Sequence, residues 1–187
     1  MKTIKILGIV GSLRKDSYNL ALLKAAQNLL PPNTELEIFS PAKLPLFDQD
    51  GEMQPTPAVI DLKNKIRNAD AILFSSPEYN YSIPGVLKNA IDLASRPYGD
   101  SAWAGKPAAI MGASIGNVAT ARMQYHLRQV MVFLDMHPLN RPEVMVAMAQ
   151  NKTNENGELT DDETKTKISE MLVALVDWTK KLASLSA

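Results

Sequence analysis

At 187 residues, with 45% hydrophobic and 21% charged side chains, the chain has the make-up of an ordinary globular protein, and one domain spanning 1–187 is expected. Twenty basic residues balance twenty acidic ones, so no electrostatic case exists for nucleic acid or an anionic membrane as partner. With no cysteine and only His126 and His137, the chain has no disulfide, thiolate nucleophile or multi-histidine metal site, and any redox chemistry must be carried by a bound organic cofactor.

Apolar runs alternate with helical patterns along the whole chain, the mark of βαβ units and a parallel sheet. A strand is expected over residues 5–10 and a helix over 19–30, halted by Pro31-Pro32. A second strand over 35–39 sets Leu36 and Ile38 in alternation with charge, as on a less buried strand. Residues 40–57, with Pro41, Pro45, Pro55 and Pro57, read as a long loop. Then follow a helix at 58–68 with Val59, Leu62 and Ile66 inward, a strand at 71–75, a helix at 84–94 and a strand at 108–112. A helix at 119–134, a short strand at 144–147, a polar excursion at 149–160 and a helix at 162–182 complete the pattern. The count is that of a flavodoxin-like, doubly wound α/β fold: a five-stranded parallel sheet of order 2-1-3-4-5 with helices on both faces. No segment reaches the ~20 apolar residues of a membrane span and the N-terminus enters a strand at once, so a cytoplasmic location is expected.

Such folds bind ligands beyond the carboxyl ends of the strands, at the switch point between strands 1 and 3. Both informative loops of this chain follow those strands. The first is Gly11-Ser12-Leu13-Arg14-Lys15-Asp16-Ser17-Tyr18-Asn19, a polar loop opening into a helix. The first helical turn has unpaired N–H groups and a partial positive charge, Ser12, Ser17 and Asn19 add short donors, and Arg14 adds a planar cation suited to phosphate. The plainer reading, a βα turn in which Ser17 or Asn19 caps the helix, stays open on this stretch alone. There is neither G-x-x-x-x-G-K-[ST] nor G-x-G-x-x-G, so a single terminal phosphate, as on a mononucleotide, fits better than ATP or a dinucleotide pyrophosphate.

The second loop is Ser76-Pro77-Glu78-Tyr79-Asn80-Tyr81-Ser82-Ile83-Pro84-Gly85. Two prolines stiffen it, two tyrosines offer flat apolar faces, and Asn80, Ser82 and backbone amides offer hydrogen bonds, a mix suited to a planar heterocycle. A proline-anchored loop with incidental tyrosines is the alternative.

Together, Gly11-Ser12-Leu13-Arg14 with Ser17 and Asn19, and Pro77-Glu78-Tyr79-Asn80-Tyr81-Ser82-x-Pro84-Gly85-x-Leu87-Lys88-Asn89-Ala90-Ile91-Asp92, resemble the NAD(P)H-dependent FMN reductase family. The likeness is to its branch of soluble quinone, chromate and azo-dye reductases, and it extends to Tyr125-His126-Leu127-Arg128-Gln129. The resemblance implies FMN as cofactor, with its phosphate held by Ser12, Leu13, Arg14, Ser17, Tyr18 and Asn19. It implies that the isoalloxazine lies along Pro77, Glu78, Tyr79, Asn80 and Tyr81, with Ser82 behind them. A third loop, Gly112-Ala113-Ser114-Ile115-Gly116, would border the flavin through Ser114 and Gly116. This chain departs from the family there, carrying Asn117, Val118 and Ala119 where relatives often have further glycines. The implied activity is a ping-pong cycle from NAD(P)H to FMN and on to quinone-, azo- or metal-oxyanion-type acceptors, with no catalytic side chain and no metal. An electron-carrier module, or a free-flavin reductase without its own acceptor site, is the alternative.

Several residues have a plain reading beside a functional one. Glu78 is expected to fix its loop or meet backbone amides rather than to act as acid or base. His126 and His137 are expected to be structural or surface groups, and Trp103 to close a turn, with a reach to the site rim as the alternative. On the fourth helix, Met123, Leu127, Val130, Met131 and Leu134 form an inward stripe. That spacing sends Tyr125, Val132 and Met136 to the outer face, beside Arg122 and Gln129, the mix of an interface. Relatives resembling this chain pair through that region, so a homodimer or homotetramer is expected.

Overall fold

The computed structural model describes residues 2–185. Strands β1 (Ile4–Val10), β2 (Thr34–Phe39), β3 (Ala71–Ser75), β4 (Pro107–Ala113), β5 (His137–Pro138) and β6 (Val144–Val146) form one parallel sheet. Helices α1 (Tyr18–Asn28), α2 (Pro57–Asn68), α3 (Gly85–Ala94), α4 (Ala121–Phe133) and α5 (Asp162–Leu185) cover it. The strand order is β2-β1-β3-β4-β5, with β6 also paired to β4. This is the expected flavodoxin-like order, with one refinement. The fifth position is shared by two short segments, β5 against Pro107–Ala108 and β6 against Met111–Ala113.

Side-chain alternation on the strands sorts the core into two layers. Ile4, Ile6 and Val10 of β1, Leu73 of β3 and Met111 of β4 pack with α1 and α5 through Leu22, Leu23, Ile168 and Leu172. Leu7, Ile9, Ile72, Phe74 and Ile110 point the other way, into α2, α3 and α4 through Leu62, Leu87, Ile91, Met123 and Leu127. Burying each such Leu or Ile contributes roughly 1.5–3 kcal/mol, so the near-continuous apolar runs of β1, β3 and β4 follow from their being covered on both faces. Strand β2, at the edge, buries only Leu36.

Two expectations are corrected. Trp103 does not reach the site rim. It is fully buried, its indole N–H donates to Ile91 O at 3.0 Å, and it leans on Phe74. Met136 is not on the outer face of α4 but buried. The helix stops at Phe133, Asp135 adopts φ +54°, and Met136 N turns back to Met131 O, so helical spacing no longer holds at that position. Phe133 stands exposed at the end of the helix. Among the described residues no helix is long and apolar enough to cross a membrane, and no cluster of His, Asp or Glu could hold a metal ion.

Candidate functional site

Strands β1, β3 and β4 are neighbours, so the loops leaving their carboxyl ends meet. Gly11 N donates to Ser75 O at 2.8 Å and Ser76 N to Met111 O at 3.2 Å. A Cβ on Gly11 or on Gly112 would collide with Ser76, which makes the bare backbone at both positions a condition of this close approach.

In the first loop, Ser17 caps α1, its Oγ accepting from Leu20 N at 3.3 Å. The cap and the main-chain bond from Ala21 N to Ser17 O leave the amides of Tyr18 and Asn19 open in the first turn. Ser12 Oγ accepts from Arg14 N at 3.3 Å and bends the loop, while the exposed Arg14 guanidinium rests over the Tyr18 ring, 4.6 Å from its centroid. Arg14, Ser17 and Tyr18 form one wall of a cleft of about 390 Å³, whose other wall is Gln150, Thr153, Asn154 and Glu155. Asn19 behaves differently from the other loop residues. Its buried side chain donates to Ala113 O at 3.0 Å and accepts from Ala113 N at 2.9 Å, so only its main-chain N–H remains to offer a ligand.

The second loop is a tight hairpin turn. Tyr79 N donates to Ser82 O at 3.1 Å and Ser82 N to Tyr79 O at 2.9 Å, with Asn80 at φ +49° and Tyr81 at φ +66°. Two central residues with positive φ make it a type I′ turn, which usually has Gly in the second place; Tyr81 there is strained. The Glu78 side chain is buried and reaches across to α4. Its Oε2 accepts from Arg122 N at 3.0 Å and Met123 N at 3.1 Å, and its Oε1 pairs with the Arg122 guanidinium at 2.5 Å. Glu78 thus caps α4, whose own N-cap residue Thr120 makes no side-chain cap bond. This is the amide-fixing role expected of it. Glu78→Ala leaves two first-turn amides and part of a cation unpaired, and is expected to cost about 2–4 kcal/mol of stability, read as a lowered denaturation midpoint. Glu78→Gln, which still accepts hydrogen bonds, should lose less.

In the third loop Ser114 Oγ accepts from Gly116 N at 3.2 Å. Ala119 sits at φ +53°, a left-handed conformation that glycine adopts without strain. Ala119→Gly is therefore expected to raise stability by up to about 1 kcal/mol, checked by thermal melts. Around the three loops Leu13, Tyr79, Tyr81, Ile115 and Val118 are all exposed, an apolar rim at one end of the sheet.

The NADPH-dependent FMN reductase family model matches residues 4–151, which contain all three loops. The chain belongs to that family. As a member it is an NAD(P)H-dependent flavin oxidoreductase, with FMN as the redox group and NAD(P)H as co-substrate. It is similar to an NAD(P)H-dependent FMN reductase of Pseudomonas aeruginosa, 52% identical over 180 residues, covering 96% of this chain and 97% of the relative. A 2-hydroxy-1,4-benzoquinone reductase of a Burkholderia species is 38% identical over 177 residues, covering 95% of this chain and 97% of the relative. Among solved structures, the flavoenzyme NAD(P)H:(acceptor) oxidoreductase FerB of Paracoccus denitrificans superposes with a TM-score of 0.87 at 36% identity, covering 96% of this chain and 98% of FerB.

Two residues of α4 touch the second loop: Arg122, expected only on the outer face of the helix, and His126, whose expected structural or surface role takes this form. In the fold Arg122 lies over the Tyr81 ring, 3.7 Å from its centroid, and His126 Nδ1 lies 2.9 Å from Ser82 Oγ. Their i, i+4 spacing was a usable signal, since it places both on one helix face.

Proposed function

We propose that the first loop holds the FMN phosphate and that the second and third border its ring, in an enzyme that reduces quinones and related acceptors. The observation that carries this reading is the pairing of an anion cradle with an apolar rim at the same end of the sheet. Arg14, the open amides of Tyr18 and Asn19, and the Ser12 and Ser17 hydroxyls supply the donors a phosphate monoester needs. Tyr79, Tyr81 and Val118 supply flat and apolar surface, and the main chain of 77–82 supplies hydrogen bonds for a heterocycle edge. The residues present therefore fit FMN.

The chemistry the flavin supplies when bound is two-electron exchange, with NAD(P)H and then, after the nicotinamide has left, with a quinone-, azo- or metal-oxyanion-type acceptor in a ping-pong cycle. The protein's share is binding and orientation: the cradle fixes one end of the cofactor, and the rigid turn at 79–82 fixes the other. No side chain is required as nucleophile, and Glu78 is committed to α4. The purified protein is expected to show the visible absorbance of FMN or to gain it on reconstitution. Under anaerobic conditions NADPH should bleach the band and a quinone restore it. A folded protein that takes up no FMN would sink this reading, and bleaching without reoxidation by quinone would favour a free-flavin reductase.

A cytoplasmic homo-oligomer is part of the same proposal. Arg122, Tyr125 and Val132, with Phe133 in place of the buried Met136, give α4 an outer face that mixes apolar and polar groups. Tyr125 Oη donates to Glu143 at 3.3 Å on that face. Light scattering at micromolar concentration is expected to give at least twice the mass of one chain, and Tyr125→Glu to lower it. An unchanged mass in the variant would remove α4 from the interface.

A further inference from the structure

The strained turn at Asn80–Tyr81 is not held by its own backbone bonds alone. Three successive anchors tie this loop to α4: Glu78 to the first-turn amides and Arg122, Tyr81 to the face of Arg122, and Ser82 to His126. The first two hold the entrance and tip of the turn. The Ser82 Oγ to His126 Nδ1 contact, 2.9 Å long and bridging residues 44 apart in sequence, holds its exit. A tyrosine kept at φ +66° needs such external support, because the conformation is one that a bulky L residue leaves when released.

We propose that His126 is a positioning residue of the flavin reaction: acting through Ser82, it fixes the exit of the Asn80–Tyr81 turn, and so the surface that turn presents to the flavin ring. This rests on the reading that loop 77–82 lies along the ring. His126 is itself exposed and forms no part of the core, so its contact with Ser82 serves the turn rather than the packing of α4.

Flavin titration of the full-length protein tests it, using FMN and riboflavin with Ser82→Ala, His126→Phe, the double variant and His126→Asn. Loss of one neutral hydrogen bond predicts about threefold to tenfold weaker binding in each single variant. The loss should be equal for FMN and riboflavin, because the turn faces the ring and not the phosphate, and the visible band of bound flavin should shift. The double variant should be no weaker than the singles, because one contact is being removed twice. His126→Asn, whose amide reaches the place of Nδ1, should restore affinity and spectrum. Thermal melts of the flavin-free variants should stay within a few degrees of wild type.

His126→Phe with unchanged affinity and spectrum overturns the proposal, as do losses that multiply in the double variant or an Asn variant no better than Phe. Should His126→Phe fail to fold, Ser82→Ala reads the same contact from the loop side. A folded wild-type protein that binds no flavin overturns the underlying site assignment instead, and is distinguishable because every variant is then silent.

Discussion

Arg14→Ala is expected to bind FMN about 10- to 150-fold more weakly than wild type, a loss of about 1.5–3 kcal/mol, while riboflavin binds both proteins alike. Arg14 is the one arginine of the first loop, and no ion pair with an Asp or Glu holds its guanidinium among the described residues. Its packing over Tyr18 keeps the cation beside the open first turn of α1, where amides and helix dipole also favour an anion. A cation already placed gives up little conformational freedom on binding, so most of the charge-assisted bond appears as affinity. The comparison with riboflavin isolates the phosphate, because that ligand keeps the ring and ribityl chain. Equal FMN affinity in wild type and variant would refute the phosphate assignment for this loop. Arg14→Lys should recover part of the loss only, since an ammonium keeps the charge without the planar fork.

The second large effect falls on stability. Asn19→Ala is expected to cost about 3–5 kcal/mol, a large part of the ~5–15 kcal/mol that holds a typical domain together. The Asn19 side chain is buried and acts as a short piece of strand, exchanging two hydrogen bonds with Ala113 at the end of β4. Ser75 Oγ adds a bond to the Asn19 carbonyl at 2.9 Å, so one residue joins α1, β3 and β4 directly beneath the three loops. Alanine strands a buried N–H and a buried C=O of Ala113 with no route to water. Asn19→Asp should fare no better, because it turns the donor facing Ala113 O into a second acceptor. Urea titration of the flavin-free proteins measures both. A midpoint within experimental error of wild type would show that the clamp contributes little, and would return Asn19 to the phosphate donors alone.

These two residues show how far local pattern reaches. Both stand in one loop and both looked like phosphate ligands in sequence. Arg14 stays exposed with local neighbours only, Ser12, Ser17 and Tyr18 lying within four residues, which is why it remains the phosphate-binding group we propose. Asn19 acquires its structural role from Ala113, 94 residues away, and no spacing rule connects them. Glu78 lies between these cases. Its fixing role was expected, but that its partners are Arg122 and Met123 is decided by how α4 packs beside β3's loop.

The order of elements, the apolar runs of β1, β3 and β4, a helix cap at Ser17 or Asn19 and the two polar loops after β1 and β3 were all legible in the amino-acid sequence. Each is written in side-chain alternation, helical spacing or turn chemistry over a few neighbouring residues. The tertiary structure alone decided the rest. It divided the fifth strand into β5 and β6, carried Met136 inward past the end of α4, sank Trp103 into the core, and brought His126 to Ser82. Those outcomes depend on sheet register and on helix ends, where the periodicity that guides a sequence reading stops, and on contacts such as Ser82 to His126 that span 44 residues.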